Sequence, residues 1–388
     1  MPPIPLLLSA VEASGEMYAA RLATALMQRM DLAIFGMGGP QMRAAGVEII
    51  TDYSEVSVVG ITEVVKRLPS LRRAMRRLVD AADLRRPPLA ILTDFPGFHL
   101  RLARKLLPKG IRNVYYICPQ FWAWRPWRAN LVRRRFAQAL CIFPFEEKFY
   151  DEAGVPVKFI GHPLVGNVNP TMTRELFCKK YGLEPGGHII TILPGSRRGE
   201  IAHHVPVLVE ALAEMERSLS GRFQFVVAVA PGLDVTRIKE KFPGPMCTCV
   251  IEDDTYNSLA AADLAIVSSG TATVETALLG KPMIVIYRLS PLTARLAKPL
   301  VKTKFFSMVN LIAGRAVVPE LIQDDFTPRR VAEEAGKLLS TSEEGKRCVG
   351  EMSRGLAEVR RLLGPPGAVE RAADAIVALL RPGESNAQ

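Results

Sequence analysis

The chain has 388 residues, 50 Lys plus Arg against 39 Asp plus Glu, a formal net charge of +11 and a pI near 9.5. With 48% hydrophobic and 23% charged residues it is not a disordered chain, and no apolar run reaches the roughly 20 residues a membrane-spanning helix needs. The length favours two domains, and the basic balance points to an anionic partner: nucleic acid, anionic lipid or a phosphorylated substrate. Of the six cysteines (Cys118, Cys141, Cys178, Cys247, Cys249 and Cys348), only Cys247 and Cys249 are close, and no histidine stands near them. That pattern suits neither a zinc site nor a disulfide framework, so no metal is expected and a cytoplasmic setting fits best.

The opening Met-Pro-Pro-Ile-Pro-Leu-Leu-Leu lacks a basic leader, so Pro5–Ala10 reads as a first buried strand, followed by a helix through Met17–Met30. Further strands are expected at Leu32–Phe35, Leu89–Thr93, Val114–Ile117, Leu140–Phe143 and Val157–Ile160. After a seam near Asn167–Thr173 the pattern restarts with Ile189–Leu193, Phe223–Ala230, Leu264–Val267 and Met283–Tyr287. Alternating strand and helix predicts parallel sheets covered on both faces. The expected fold is α/β: two Rossmann-like domains facing across a cleft, 1–168 and 169–360. A terminal helix and tail, 361–388, are expected to pack back on the first domain.

Two loops of the second half carry the chemistry. After Ile189–Leu193 comes Pro194-Gly195-Ser196-Arg197-Arg198-Gly199-Glu200, where glycine lets amides approach a phosphate and Arg197 or Arg198 adds a fork of donors. After Leu264–Val267 comes Ser268-Ser269-Gly270-Thr271-Ala272-Thr273-Val274-Glu275, in which Glu275 lies one helical turn in, placed to grip two ribose hydroxyls. An ordinary capped helix explains either loop alone; the pair points to a nucleotide sugar. Neither is a Walker loop or a GxGxxG fingerprint.

In the first half, Asp94 ends a strand, where a carboxylate can serve as general base for a hydroxyl acceptor. Glu12, Ser14, Glu16, Glu63 and His99 are further candidates on the acceptor side. All three tryptophans fall in Phe121-Trp122-Ala123-Trp124-Arg125-Pro126-Trp127-Arg128, a cluster that stacks on a sugar, meets lipid, or packs in a core. From Lys66 the chain runs basic and apolar at helical spacing. Leu68, Leu71, Arg72, Arg73, Met75 and Arg76 read as a membrane-surface stretch, or as a surface helix with its stripe in the core. No nucleic-acid module is visible, so nucleic acid is set aside.

Taken together, these segments resemble the lipid-A-disaccharide synthase family of GT-B glycosyltransferases. The resemblance rests on Glu12-Ala13-Ser14-Gly15, Gly38-Gly39-Pro40-Gln41-Met42, Val59–Val64, Asp94-Phe95-Pro96, Trp122-Ala123-Trp124-Arg125, Pro144-Phe145-Glu146 and Gly161-His162-Pro163. It continues through Leu193–Arg197, Ser269–Ala272, Pro282–Val285, Asn310–Gly314 and Pro319–Gln323. It implies an inverting transfer of a 2,3-diacylglucosamine unit from UDP to 2,3-diacylglucosamine 1-phosphate, forming a β-1,6 disaccharide and releasing UDP without a metal. It also implies Asp94 as base, Arg197 and Asn310 near the donor, Glu275 on the ribose, and the basic stretch on the inner face of the inner membrane. A homodimer, with C-terminal segments exchanged between subunits, stays open.

The sequence departs from the family pattern mainly in its first half. Val11 and Glu16 replace Gly and Asp. The pattern Asp-x-Pro-Asp-Phe-Asn reads Asp94-Phe95-Pro96-Gly97-Phe98-His99, Cys118 replaces Ser, and Val309 replaces Pro in Leu-Pro-Asn. A site that exchanges Asp and Asn for Gly and His is expected to hold a different acceptor, or to hold it differently. The rival readings are a UDP-sugar epimerase, a transferase with another lipid acceptor, and a paralogue that binds without turnover.

Overall fold

The computed structural model describes residues 2–56, 68–242, 249–290, 293–295 and 303–381. Glu63, the motif Val59–Val64, Lys66, Arg67 and Cys247 lie outside the described residues. The chain divides into two units: unit 1 runs to Val165 and resumes at Leu363, and unit 2 is Gly166–Leu362.

Unit 1 is built on a parallel sheet. Its strands are β1 (Ile4–Ser9), β2 (Leu32–Gly38), β3 (Glu48–Asp52), β4 (Leu89–Thr93), β5 (Arg112–Tyr116), β6 (Gln138–Cys141) and β7 (Val157–Phe159), in the order β3-β2-β1-β4-β5-β6-β7. Every residue of β4 is buried, as a strand covered on both faces requires. The order reverses between β1 and β4, so the loops leaving their C-terminal ends, Ala10–Glu12 and Asp94–Phe95, open side by side. In parallel α/β sheets this switch point is where ligands bind. The helix Pro96–Leu106 follows at once, and helix α1 (Ala13–Met27) leaves the β1 loop.

Unit 2 repeats the plan with β8 (His188–Leu193), β9 (Phe223–Val229), β10 (Cys249–Glu252), β11 (Leu264–Ser268), β12 (Met283–Tyr287) and β13 (Glu320–Ile322), ordered β10-β9-β8-β11-β12-β13. Its reversal falls between β8 and β11, paired with Leu193 beside Val267. Both sequence-predicted loops therefore leave the switch point of this sheet.

The strands β3, β10 and β13 escaped the sequence reading. They are short, all three lie at sheet edges, and only one residue of each is buried, so no apolar run marks them.

The return segment completes unit 1. His162 N donates to the Leu363 carbonyl at 2.8 Å, and the helix Ala368–Leu380 packs on α1. Arg371 Nε donates to the Ile160 carbonyl at 2.8 Å, while Arg29 pairs with Asp374 at 2.7 Å.

The helix Leu68–Arg85 corrects part of the membrane expectation. Ala74, Leu78 and Ala82 are buried, and Leu71, Met75 and Val79 pack against the same core. Leu71 and Met75 are thus partly buried against the core, where the helical stripe packs on the fold. Arg72, Arg73 and Arg76 stay exposed, with Leu68 36% and Leu84 83% accessible. Among the described residues, no helix is long and apolar enough to cross a membrane.

Two buried histidines set an acid limit. Burial lowers His99 from 6.5 to about 4 and His162 to about 3. In the unfolded chain both gain a proton near pH 6.5, while the folded chain resists, so stability falls as pH drops from 6.5 toward 4. Each contributes roughly 3 kcal/mol of that loss. Urea midpoints measured between pH 7 and pH 4 should fall steeply; in His99→Gln the slope should be shallower.

Candidate active site

In unit 1, Asp94 sits at the switch point with its carboxylate turned back onto the β1 loop. Val11 N donates to Oδ1 and Oδ2 at 3.1 Å each, and Glu12 N donates to Oδ2 at 2.8 Å. The side chain is 13% exposed. Burial raises its pKa well above the ordinary carboxyl value, the Glu12 charge adds to this, and the two amides oppose it. The result is a carboxylate that is held by the backbone, reaches solvent at one edge, and is a stronger base than a surface aspartate. Asp94 and Phe95 both hold left-handed backbone, with φ of 56° and 28°. Such strain at non-glycine residues collects at functional turns. Here Tyr115 Oη anchors the Asp94 carbonyl at 2.8 Å.

Gly15 makes room for this arrangement. A Cβ there would lie 2.0 Å from Asp94 Oδ2 and 2.8 Å from its Cγ. Glu12 caps α1 with its own side chain exposed, and Ser14 is exposed beside it.

Two candidates for the acceptor side serve the fold instead. His99 is fully buried. Its Nε2 lies 2.8 Å from Ser9 Oγ and its Nδ1 3.0 Å from the Asp94 carbonyl, so the neutral ring ties β1 to the β4 loop and cannot meet a ligand. Its 3.8 Å approach to Asp94 Oδ1 is no ion pair, because a ring lowered to about 4 is uncharged at neutral pH. Glu16 is also buried. Its Oε1 accepts from Gln41 N at 2.7 Å and Met42 N at 3.0 Å, capping helix α2 (Pro40–Ala44).

The tryptophan segment divides. Trp122 is half-buried and donates to the buried Glu146 at 3.2 Å. Burial lifts that carboxyl to about 7. Trp124 and Trp127 are exposed, at 37% and 60%. Arg125 stacks over Trp124 at 4.5 Å, and Arg128 approaches both exposed rings at 5.5 Å.

In unit 2 the two loops differ. At the first, Glu200 turns back on its own helix, Arg198–Ser218. Its Oε2 accepts from Ser196 N at 2.9 Å and Arg197 N at 3.2 Å, and its Oε1 meets the Arg197 guanidinium at 3.1 Å. The amides expected to cradle a phosphate are thus already satisfied by a carboxylate. What this loop offers an anion is the Arg197 side chain, 65% exposed. Gly195 has φ 130°, and a Cβ there would strike Glu200 at 2.7 Å.

The second loop is open. Gly270, at φ 151°, precedes the helix Thr271–Leu278, and nothing lies within 4 Å of a Cβ placed on it. Thr271 is exposed at the helix start and Ser269 Oγ is given to the Phe306 carbonyl at 2.8 Å. Among the described residues no side chain caps this N-terminus, so its amides and dipole favour an incoming anion. One turn on, burial raises the Glu275 carboxyl, and Tyr256 Oη donates to Oε1 at 2.9 Å. Tyr256 escaped the sequence reading because it belongs to another helix, Thr255–Ala261.

Asn310 is saturated by its own unit. Oδ1 accepts from Val317 N at 2.7 Å and Val318 N at 3.0 Å, while Nδ2 donates to the Val318 carbonyl at 2.9 Å and to Glu320 Oε1 at 2.8 Å. All four capacities of a carboxamide are used, so no polar contact remains for a donor. Asn310→Ala should cost about 3 kcal/mol or more by stranding buried amides. Urea unfolding measures this directly, and a loss below 1 kcal/mol would remove the structural role. A second connector is His204, also unforeseen. Its Nδ1 lies 2.7 Å from the Pro194 carbonyl and its Nε2 accepts from Arg288 N at 2.9 Å, joining the first loop to the end of β12. Among the described residues, no cluster suits a metal ion.

Two parallel Rossmann-like sheets with loops of this kind at their switch points define the GT-B fold. Solved structures agree on the fold. The calicheamicin glycosyltransferase CalG4 aligns with TM-score 0.62 and 16% identity, over 99% of this chain and 100% of its own. The S. aureus MnaA–UDP co-structure aligns with TM-score 0.64 and 13% identity, over 98% and 97%. The particular family follows from closer matches. The Lipid-A-disaccharide synthetase family model matches residues 6–360. The lipid-A-disaccharide synthase of Solibacter usitatus is 46% identical over 379 residues, 97% of either chain. The chain belongs to the lipid-A-disaccharide synthase family, and it is a glycosyltransferase that forms the lipid A disaccharide.

Proposed function

We propose that the chain moves a 2,3-diacylglucosamine unit from UDP to the 6-hydroxyl of 2,3-diacylglucosamine 1-phosphate, with inversion. The observation that carries this reading is Asp94: a buried, backbone-held carboxylate of raised basicity at the switch point of unit 1. It takes the proton of the acceptor hydroxyl as that oxygen attacks the anomeric carbon and the bond to UDP breaks. In unit 2, the uncapped helix start at Thr271 and the exposed Arg197 guanidinium supply the positive potential that holds the pyrophosphate and the charge growing on departing UDP. Glu275, steadied by Tyr256, accepts from the ribose hydroxyls. The structure of MnaA with UDP, which has the same fold, supports a UDP-linked donor. UDP release on mixing protein, UDP-diacylglucosamine and the phosphorylated acceptor tests the reading. Donor binding without UDP release, or release that ignores the acceptor, would sink it.

The acylated substrates place the reaction at the inner face of the inner membrane, and Arg72, Arg73 and Arg76 supply the contact. With Leu71 and Met75 partly buried against the core, the attraction rests on charge, worth about 1 kcal/mol per arginine near an anionic surface. Exchange of all three for Gln should cut co-sedimentation with phosphatidylglycerol vesicles by roughly 100-fold, and 0.5 M salt should do the same to the unaltered protein. Binding that is indifferent to both changes would place the contact elsewhere.

A further inference from the structure

Unit 1 contains a pocket of about 230 Å³ that none of the roles above uses. It is lined by the helices Pro96–Leu106 and Ala129–Arg135 and by the turn before the second. Four arginines contribute to its lining: Arg101, Arg104, Arg128 and Arg135. None of them pairs with a carboxylate among the described residues. Arg135 gives one nitrogen to the Leu100 carbonyl at 2.9 Å, and Arg128 Nε is buried without a hydrogen-bond partner. Burial and neighbouring arginines push both Arg128 and Arg135 below the usual guanidinium range, so the cluster is self-repelling as it stands. A bound anion relieves the repulsion, and a guanidinium fork matches a phosphate.

The rest of the lining narrows the ligand. Leu100, Leu131 and Trp127 add apolar surface, so the anion arrives on a body that is partly greasy. Pro96 and Gly97 are also in the lining, two and three residues after Asp94.

We propose that this pocket binds the phosphomonoester of the amphiphilic acceptor and, from beside Asp94, selects phosphorylated over unphosphorylated acceptors; the choice of acceptor rests on the function proposed above. Two substitutions test it at exposed positions that leave the core untouched: Arg101→Glu and Arg104→Glu. Calorimetric titration with glucosamine 1-phosphate, the soluble headgroup, should show binding that glucosamine lacks and that each variant weakens about tenfold or more. With 2,3-diacylglucosamine 1-phosphate in neutral detergent, each variant should raise the acceptor KM by a similar factor and leave the donor KM unchanged. Co-sedimentation with phosphatidylglycerol vesicles should not change. Absent binding of glucosamine 1-phosphate, or equal affinity in the variants, overturns the pocket. So does lost vesicle binding with an unaltered acceptor KM, which would make it a bilayer headgroup site. Should the unaltered protein bind glucosamine 1-phosphate through these residues yet release no UDP, the reaction fails and the pocket stands.

Discussion

Asp94→Asn should lower kcat/KM for disaccharide formation by roughly 100- to 10,000-fold, the range lost when a positioned base is removed. Asparagine retains one oxygen for the Glu12 amide, which donates at 2.8 Å, so the β1 loop should keep its place. Asp94→Ala leaves the Val11 and Glu12 amides without an acceptor and should lose stability as well, by about 1–3 kcal/mol per stranded amide. Activity loss with an intact melting temperature in Asn, and both losses in Ala, separates base from clamp. The pH profile is a second readout. Burial raises the Asp94 carboxyl, and only the ionised form accepts a proton, so kcat/KM should fall as pH drops through that raised pKa. In Asp94→Asn the acid limb should vanish from whatever rate remains. Unchanged turnover in both variants would remove Asp94 from the chemistry.

Gly15→Ala should be nearly as damaging, although the residue has no side chain to take part in the chemistry. The added methyl would sit 2.0 Å from Asp94 Oδ2 and 3.1 Å from Thr93 Cγ2, so the carboxylate must move. A shift of about 1 Å in a reacting group costs on the order of 100-fold in rate. The loss should appear in kcat, with the donor KM preserved, since the donor loops belong to unit 2. Gly186→Ala, where a Cβ would meet nothing within 4 Å, is the matched control and should be neutral. Equal activity in the two variants would show that Asp94 need not hold its present position.

The sheets were legible where burial writes itself into the sequence. β4 and β12 have the expected bounds because every residue or nearly every residue is apolar and buried. β3, β10 and β13 were not legible, since partial exposure erases the pattern. The same contrast governs the site. Asp94 and Glu275 stand out as polar residues at the ends of apolar strands or helix starts, a position that spacing reveals. The roles of Glu16 and His99 turn on partners that come from distant segments, and that of Asn310 on a turn just downstream that folds back on it. An acid at a helix start reads alike whether it faces a ligand or, as Glu200 does, its own backbone. The basic helix shows the limit from the other side. Its periodicity is real, but the period alone does not say whether the stripe meets lipid or the sheet beneath, and the contacts of Leu71 and Met75 decide for the sheet.

The return of the chain to unit 1 has a consequence for synthesis on the ribosome. Helix α1 is made before the whole of unit 2, yet the helix that covers it, Ala368–Leu380, is made after it. Unit 2 is contiguous and can fold as it emerges, whereas unit 1 must wait, with an apolar face uncovered, for nearly the whole period of translation. A nascent chain halted after Leu362 would carry all of Asp94's neighbours and both donor loops. It would still lack the helix that seals its first domain, making it a client for chaperones rather than a smaller enzyme.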